Sequence, residues 1–71
     1  MEDSHLEKPT LTKREMTILQ EVALGRTTPQ IAADLGLSAE TVKWYRKQML
    51  GKFSASTSAE LVRLAIEYKL I

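Results

Sequence analysis

The chain has 71 residues, a net charge of +1, no cysteine and a single histidine, and 44% of it is hydrophobic. That length makes one domain with a small core, and the cysteine and histidine counts exclude disulfide staples and Cys/His metal sites. No apolar run approaches the roughly 18 residues of a membrane span, and Met1–Pro9 carries Glu2, Asp3 and Glu7 where a signal peptide would be apolar, so a cytoplasmic chain is expected.

Residues 1–9 are polar and end in proline, which predicts a flexible arm or linker ahead of a domain spanning 10–71. Thr12-Lys-Arg-Glu15 fits a capping box and opens a first helix over about 12–24, with Leu11 and Met16 at the staple positions. Met16, Leu19, Val22 and Ala23 recur at helical spacing, Ile18 widens the stripe, and Gly25 ends it in the left-handed region. A second helix over 29–35 takes Thr28 as N-cap and Pro29 at its first position, with Ile31, Ala32 and Leu35 apolar and Gly36 as its stop.

Ser38 caps a third helix over 39–51. Val42, Tyr45, Met49 and Phe53 mark its inner face, and Glu40, Lys43, Trp44, Lys47 and Gln48 its outer one; Gly51 and the run Ser54–Ser58 close it. Thr57-Ser-Ala-Glu60 reads as a second capping box for a fourth helix over 58–69. That helix carries two apolar stripes, Val62, Ala65 and Ile66 on one side and Leu61, Leu64 and Tyr68 on another, and one small core absorbs only one of them. The expected core is Leu19, Val22, Ile31, Leu35, Val42, Tyr45, Met49, Val62 and Ala65. The fold class is all-α, four helices.

The modest net charge conceals an asymmetry. Met1–Pro9 is net −2, Thr10–Ile71 is net +3, and Thr41–Ala59 carries Lys43, Arg46, Lys47 and Lys52 with no acid. Such a stretch suits a polyanion, although a solvated basic face explains four charges equally well. Between the second and third helices, Ala32 permits close approach and Gly36 supplies the sharp turn, four residues apart, with Val42 six beyond; this is helix-turn-helix spacing. A helical hairpin in an unrelated bundle is the competing reading.

Leu11-Thr-Lys-Arg-Glu15, Ile31-Ala32-x-x-Leu35-Gly-Leu-Ser38, Thr41-Val-Lys43, Lys52-Phe53 and Leu70-Ile71 together resemble the LuxR/GerE-type DNA-binding domain, from about Thr10 to Ile71. The resemblance implies a four-helix domain of bacterial transcription regulators, often behind a receiver or ligand-sensing domain. It further implies a third helix that enters the major groove and a fourth that commonly forms a homodimer. Two departures stand out: Tyr45 where the family often has His, and Ser58 where it often has Arg.

On this reading Lys43, Trp44 and Lys47 are the base-facing residues, lysine donating to guanine and the indole pressing on a thymine methyl. Trp44 as a partner contact or a lid on the core edge is the plainer alternative. Thr27, Thr28 and Gln30, at the start of the second helix, and Arg46 and Lys52, flanking the third, are the phosphate candidates. Leu61, Leu64 and Tyr68 are the candidate dimer face. About four to five phosphate contacts would give a log–log salt slope near −4.

Neither a cofactor nor an enzyme is expected: Glu15 and Glu60 are accounted for as caps, His5 lies in the arm, and no phosphate-binding glycine loop occurs. Two rivals stay open. One is a sigma-factor region-4-like promoter-binding domain, against which the capped fourth helix argues. The other is a protein-interaction module that keeps the helix-turn-helix without using DNA.

Overall fold

The computed structural model describes residues 9–71, which form four α-helices: α1 Lys13–Ala23, α2 Thr28–Leu35, α3 Ala39–Phe53 and α4 Ser58–Glu67. The predicted arm lies outside the described residues except for Pro9. No helix among these is long and apolar enough to cross a membrane.

Each helix starts where a hydroxyl meets the free amides of its first turn. Thr12 Oγ1 accepts from the Glu15 N–H at 3.1 Å while Glu15 Oε1 accepts from the Thr12 N–H at 2.9 Å, the reciprocal box foreseen for α1. Ser38 caps α3, its Oγ accepting from the Thr41 N–H. For α2 the cap is Thr27, one residue earlier than expected. Gln30 sits three residues beyond Thr27 and closes a full box with it, and Pro29 is tolerated at the second position because the first turn has no carbonyls to receive its missing N–H. Thr57 caps α4, but the carboxylate of Glu60 accepts from the Ser56 N–H, so the second box is only half of one.

α3 continues past the expected stop at Gly51. Phe53 is buried and stacks at a tilt on Tyr68, ring centroids 6.1 Å apart, and Lys52 reaches back to α1, so tertiary contacts hold an extra half-turn that ends at Ser54. α4 ends two residues early, where Lys69 turns into the left-handed region and lays Leu70 against the core.

α3 packs against each of the other three helices, and α1 also packs on α4. The core is Ile18, Leu19, Ile31, Ala32, Val42, Met49, Phe53, Leu61 and Ala65, with Val22, Leu35, Tyr45, Leu64 and Tyr68 half-buried against it. On α1 the buried stripe runs Glu15, Ile18, Leu19, leaving Ala23 exposed. On α4 the assignment of the stripes is corrected. Leu61 is completely buried, with Leu64 and Tyr68 packed beside it, so they form an inner face and not a dimer face. Val62 and Ile66 turn outward instead, Ile66 being 57% exposed, because Leu61 and Ala65, four residues apart, already fill the space toward α1 and α3.

Candidate nucleic-acid interface

α2 and α3 are joined by residues 36–38, with Gly36 at a φ of +68° making the turn. The crossing is fixed from inside by Ile31, Ala32 and Val42, all buried, with Leu35 and Leu37 packed at the edge. α3 is thus held by its inner face, Val42, Met49 and Phe53, and its opposite face is turned to solvent.

That outer face collects the three predicted base-facing residues. Glu40, Lys43, Trp44 and Lys47 line one open depression of about 490 Å³, and all four are exposed. Among the described residues, neither Lys43 nor Lys47 forms an ion pair. Trp44 is 56% exposed, so it does not lid the core. Its ring stands edge-on to that of Tyr45, centroids 5.1 Å apart at 80°, a T-shaped contact that orients the indole. Tyr45, in the place where the resemblance leads one to expect His, is half-buried and serves as the indole's support.

Thr27, Thr28, Gln30 and Arg46 gather around the start of α2. The Thr27–Gln30 box uses the Thr27 oxygen as acceptor and Gln30 Oε1, which leaves the hydroxyl proton of Thr27 and the NH₂ of Gln30 as donors. Arg46, half-buried on α3, donates from one Nη to Thr28 Oγ1 at 2.9 Å and from the other to Ser58 Oγ. It therefore ties the first turn of α2 to that of α4, a link to Ser58 that sequence reading missed because the partners lie on different helices. Arg46 has no carboxylate partner among the described residues. A guanidinium set between two helix N-termini, with only hydroxyls for company, stays electrostatically open to an anion.

Lys52 behaves differently, and its phosphate role is withdrawn. Its Nζ donates to Glu15 Oε1 at 2.7 Å and to the Thr10 carbonyl at 3.0 Å, so its charge is spent inside the domain. Glu15 is 5% exposed. Burial is the strongest single influence on its carboxyl and pushes the pKa up, but the hydrogen bond and charge of Lys52 and the bonds from Thr12 together outweigh it and hold the group below its ordinary value.

The family model for the luxR family of bacterial regulatory proteins (GerE) matches residues 9–65. Nodulation protein W of Bradyrhizobium diazoefficiens is 41% identical over 56 residues, covering 79% of this chain and 25% of that protein. The transcriptional regulatory protein UhpA of Escherichia coli is 42% identical over 53 residues, covering 75% of this chain and 27% of that protein. Among solved structures, the response regulator ChrA of a heme-sensing two-component system superposes with a TM-score of 0.85 at 29% identity, over 92% of this chain and 32% of ChrA. A Vibrio cholera VqmA–ligand–DNA complex superposes with a TM-score of 0.83 at 28% identity, over 99% of this chain and 31% of that one. The chain spans about a quarter to a third of the length of these relatives. With more than half of its residues under the family model, the chain belongs to the luxR family of bacterial regulatory proteins.

Proposed function

We propose that this domain binds double-stranded DNA sequence-specifically for a bacterial transcription regulator, with α3 in the major groove. The observation that carries the reading is the outer face of α3: two lysines that form no ion pair among the described residues and an exposed indole share one surface on the second helix of a helix-turn-helix. The neighbouring VqmA complex, which contains DNA, supports the same use of the fold. Lys43, Trp44 and Lys47 face base edges. Thr27, Thr28, Gln30 and Arg46 hold phosphates, from the first turn of α2 and the flank of α3. The location is the bacterial cytoplasm, where the DNA is. The relatives' greater length supports a receiver or sensor domain elsewhere in the full protein, and a second copy is expected to pair through α4.

With Lys52 committed to Glu15, about three phosphates are neutralised per domain, and the log–log salt slope is near −3, one shallower than the sequence suggested. The test is an amide-shift titration with a generic duplex at low salt, repeated at high salt. Shifts concentrated in residues 27–31 and 38–48 that vanish with salt are expected. Binding to a protein partner that ignores salt, with those residues silent toward DNA, would favour the interaction module instead.

Two variants test the reading face itself. Lys47→Ala is expected to weaken binding to every duplex, since it removes a cation. Trp44→Ala is expected to change which duplex is preferred more than overall affinity. Fluorescence anisotropy on a panel of duplexes separates the two, and parent-like behaviour of both variants would remove α3 from the groove.

A further inference from the structure

We propose that Glu40 is a specificity-determining residue of this interface, accepting a hydrogen bond from the exocyclic amino group of a cytosine; the inference rests on the DNA reading above.

Glu40 lies one turn before Trp44 and Lys43 on α3, and the three share a depression with Lys47. Residues three and four apart on a helix are neighbours, so the carboxylate borders both the indole and the Lys43 ammonium. Yet no lysine or arginine among the described residues comes within ion-pair distance of Glu40. An acid on a surface that meets phosphates weakens non-specific attraction, so its contribution has to lie in selection. In the major groove a carboxylate is acceptor-only. Cytosine offers it the N4 amino group, whereas guanine O6 and thymine O4 present only lone pairs and repel it. The first turn of a groove-bound helix is the part that reaches base edges, and Glu40 is in that turn.

A helix-start acid also meets the positive end of α3. Ser38 already caps that end and its hydroxyl donates to Thr41 Oγ1, so the start of α3 is supplied without Glu40. If dipole compensation were the whole role, loss of the carboxylate would leave base preference untouched.

Selection from a randomised duplex library at low salt, with the parent chain, E40Q and E40A, decides the matter, circular dichroism confirming that all three are helical. The parent is expected to select cytosine at one position. E40A is expected to lose that preference by about fivefold or more, keep the preferences at other positions, and bind generic duplex more tightly than the parent. E40Q is expected to shift the same position toward adenine, whose N6 and N7 match an amide. Identical selected sequences for parent and variants would overturn the role of Glu40 and leave the DNA reading standing. Failure of the parent to hold any duplex at low salt would overturn both.

Discussion

A carboxylate that is 95% covered survives in a core this small because the hydrogen-bond partners of Glu15, Lys52 and Thr12, favour its charge against the burial that opposes it. The Lys52 ammonium at 2.7 Å and the Thr12 N–H at 2.9 Å supply what water would have given. Lys52→Met removes the ammonium and is expected to cost about 1.5–3 kcal/mol at neutral pH, the range of a hydrogen bond to a charged group. The pH dependence carries a definite sign. Because the folded state holds Glu15 below its ordinary value of 4.5, its contribution is complete above that pH and disappears as pH falls through the lowered pKa. The stability gap between parent and Lys52→Met is therefore largest near neutrality and narrows below pH 4.5. Urea melts at several pH values measure it, and a gap that stays constant down to pH 3 would show that the ion pair adds nothing.

All four helices end alike, and this sets their lengths. At each C-terminus one residue takes positive φ: Gly25, Gly36, Ser54 and Lys69. The next N–H then reaches back to a carbonyl five residues earlier, Arg26 to Glu21, Leu37 to Ala32, Ala55 to Leu50 and Leu70 to Ala65. Two of these positions hold glycine and two hold residues with a Cβ, which raises the energy of the left-handed region by roughly 1–2 kcal/mol. Gly36→Ala meets no neighbour within 4 Å, so its expected cost of about 1 kcal/mol is conformational and not steric. Ser54→Gly is expected to move stability the other way by a similar amount, since Ser54 is exposed and its φ of 53° stays as it is. Thermal melts of the pair check both signs.

These ends also show what the sequence could and could not reveal. Glycine announced the stops of α1 and α2, whereas Ser54 and Lys69 carry no such mark, so α3 and α4 were misjudged by two residues. The starts of α1, α3 and α4 were legible because a cap and its amide lie three residues apart, whereas at α2 two adjacent threonines offered the cap and Thr27, with Gln30 three residues on, takes it. The outer face of α3 was legible from its period. The fates of Lys52 and Leu61 were not, because one depends on a partner 37 residues away and the other on which stripe of α4 the core accepts.

At the scale of the molecule, α3 is both the centre of the core and the proposed reading surface. Its inner residues touch all three other helices, so the groove-facing side chains inherit the rigidity of the whole packing. On the proposed reading, the phosphate contacts of one such domain attract every duplex alike, and only its base contacts discriminate among them. Two copies set on half-sites about one helical turn apart would each raise the effective concentration of the other. We propose the outward side of α4 as the surface for that pairing: Ile66 is 57% exposed there, and Arg63 is held to Glu67 at 2.7 Å alongside it. Two such helices brought together would cover both isoleucines and keep the flanking charges in solvent. Ile66→Glu places a carboxylate at that contact without touching the core or α3. It is expected to leave affinity for a duplex with one half-site unchanged and to lower affinity for a two-half-site duplex at least about tenfold, within the range that linked binding supplies. Anisotropy titrations on the two duplexes, built from the sequence that library selection returns, give the ratio. An unchanged ratio in Ile66→Glu would mean that the copies pair elsewhere, or that each half-site is read by a domain acting alone.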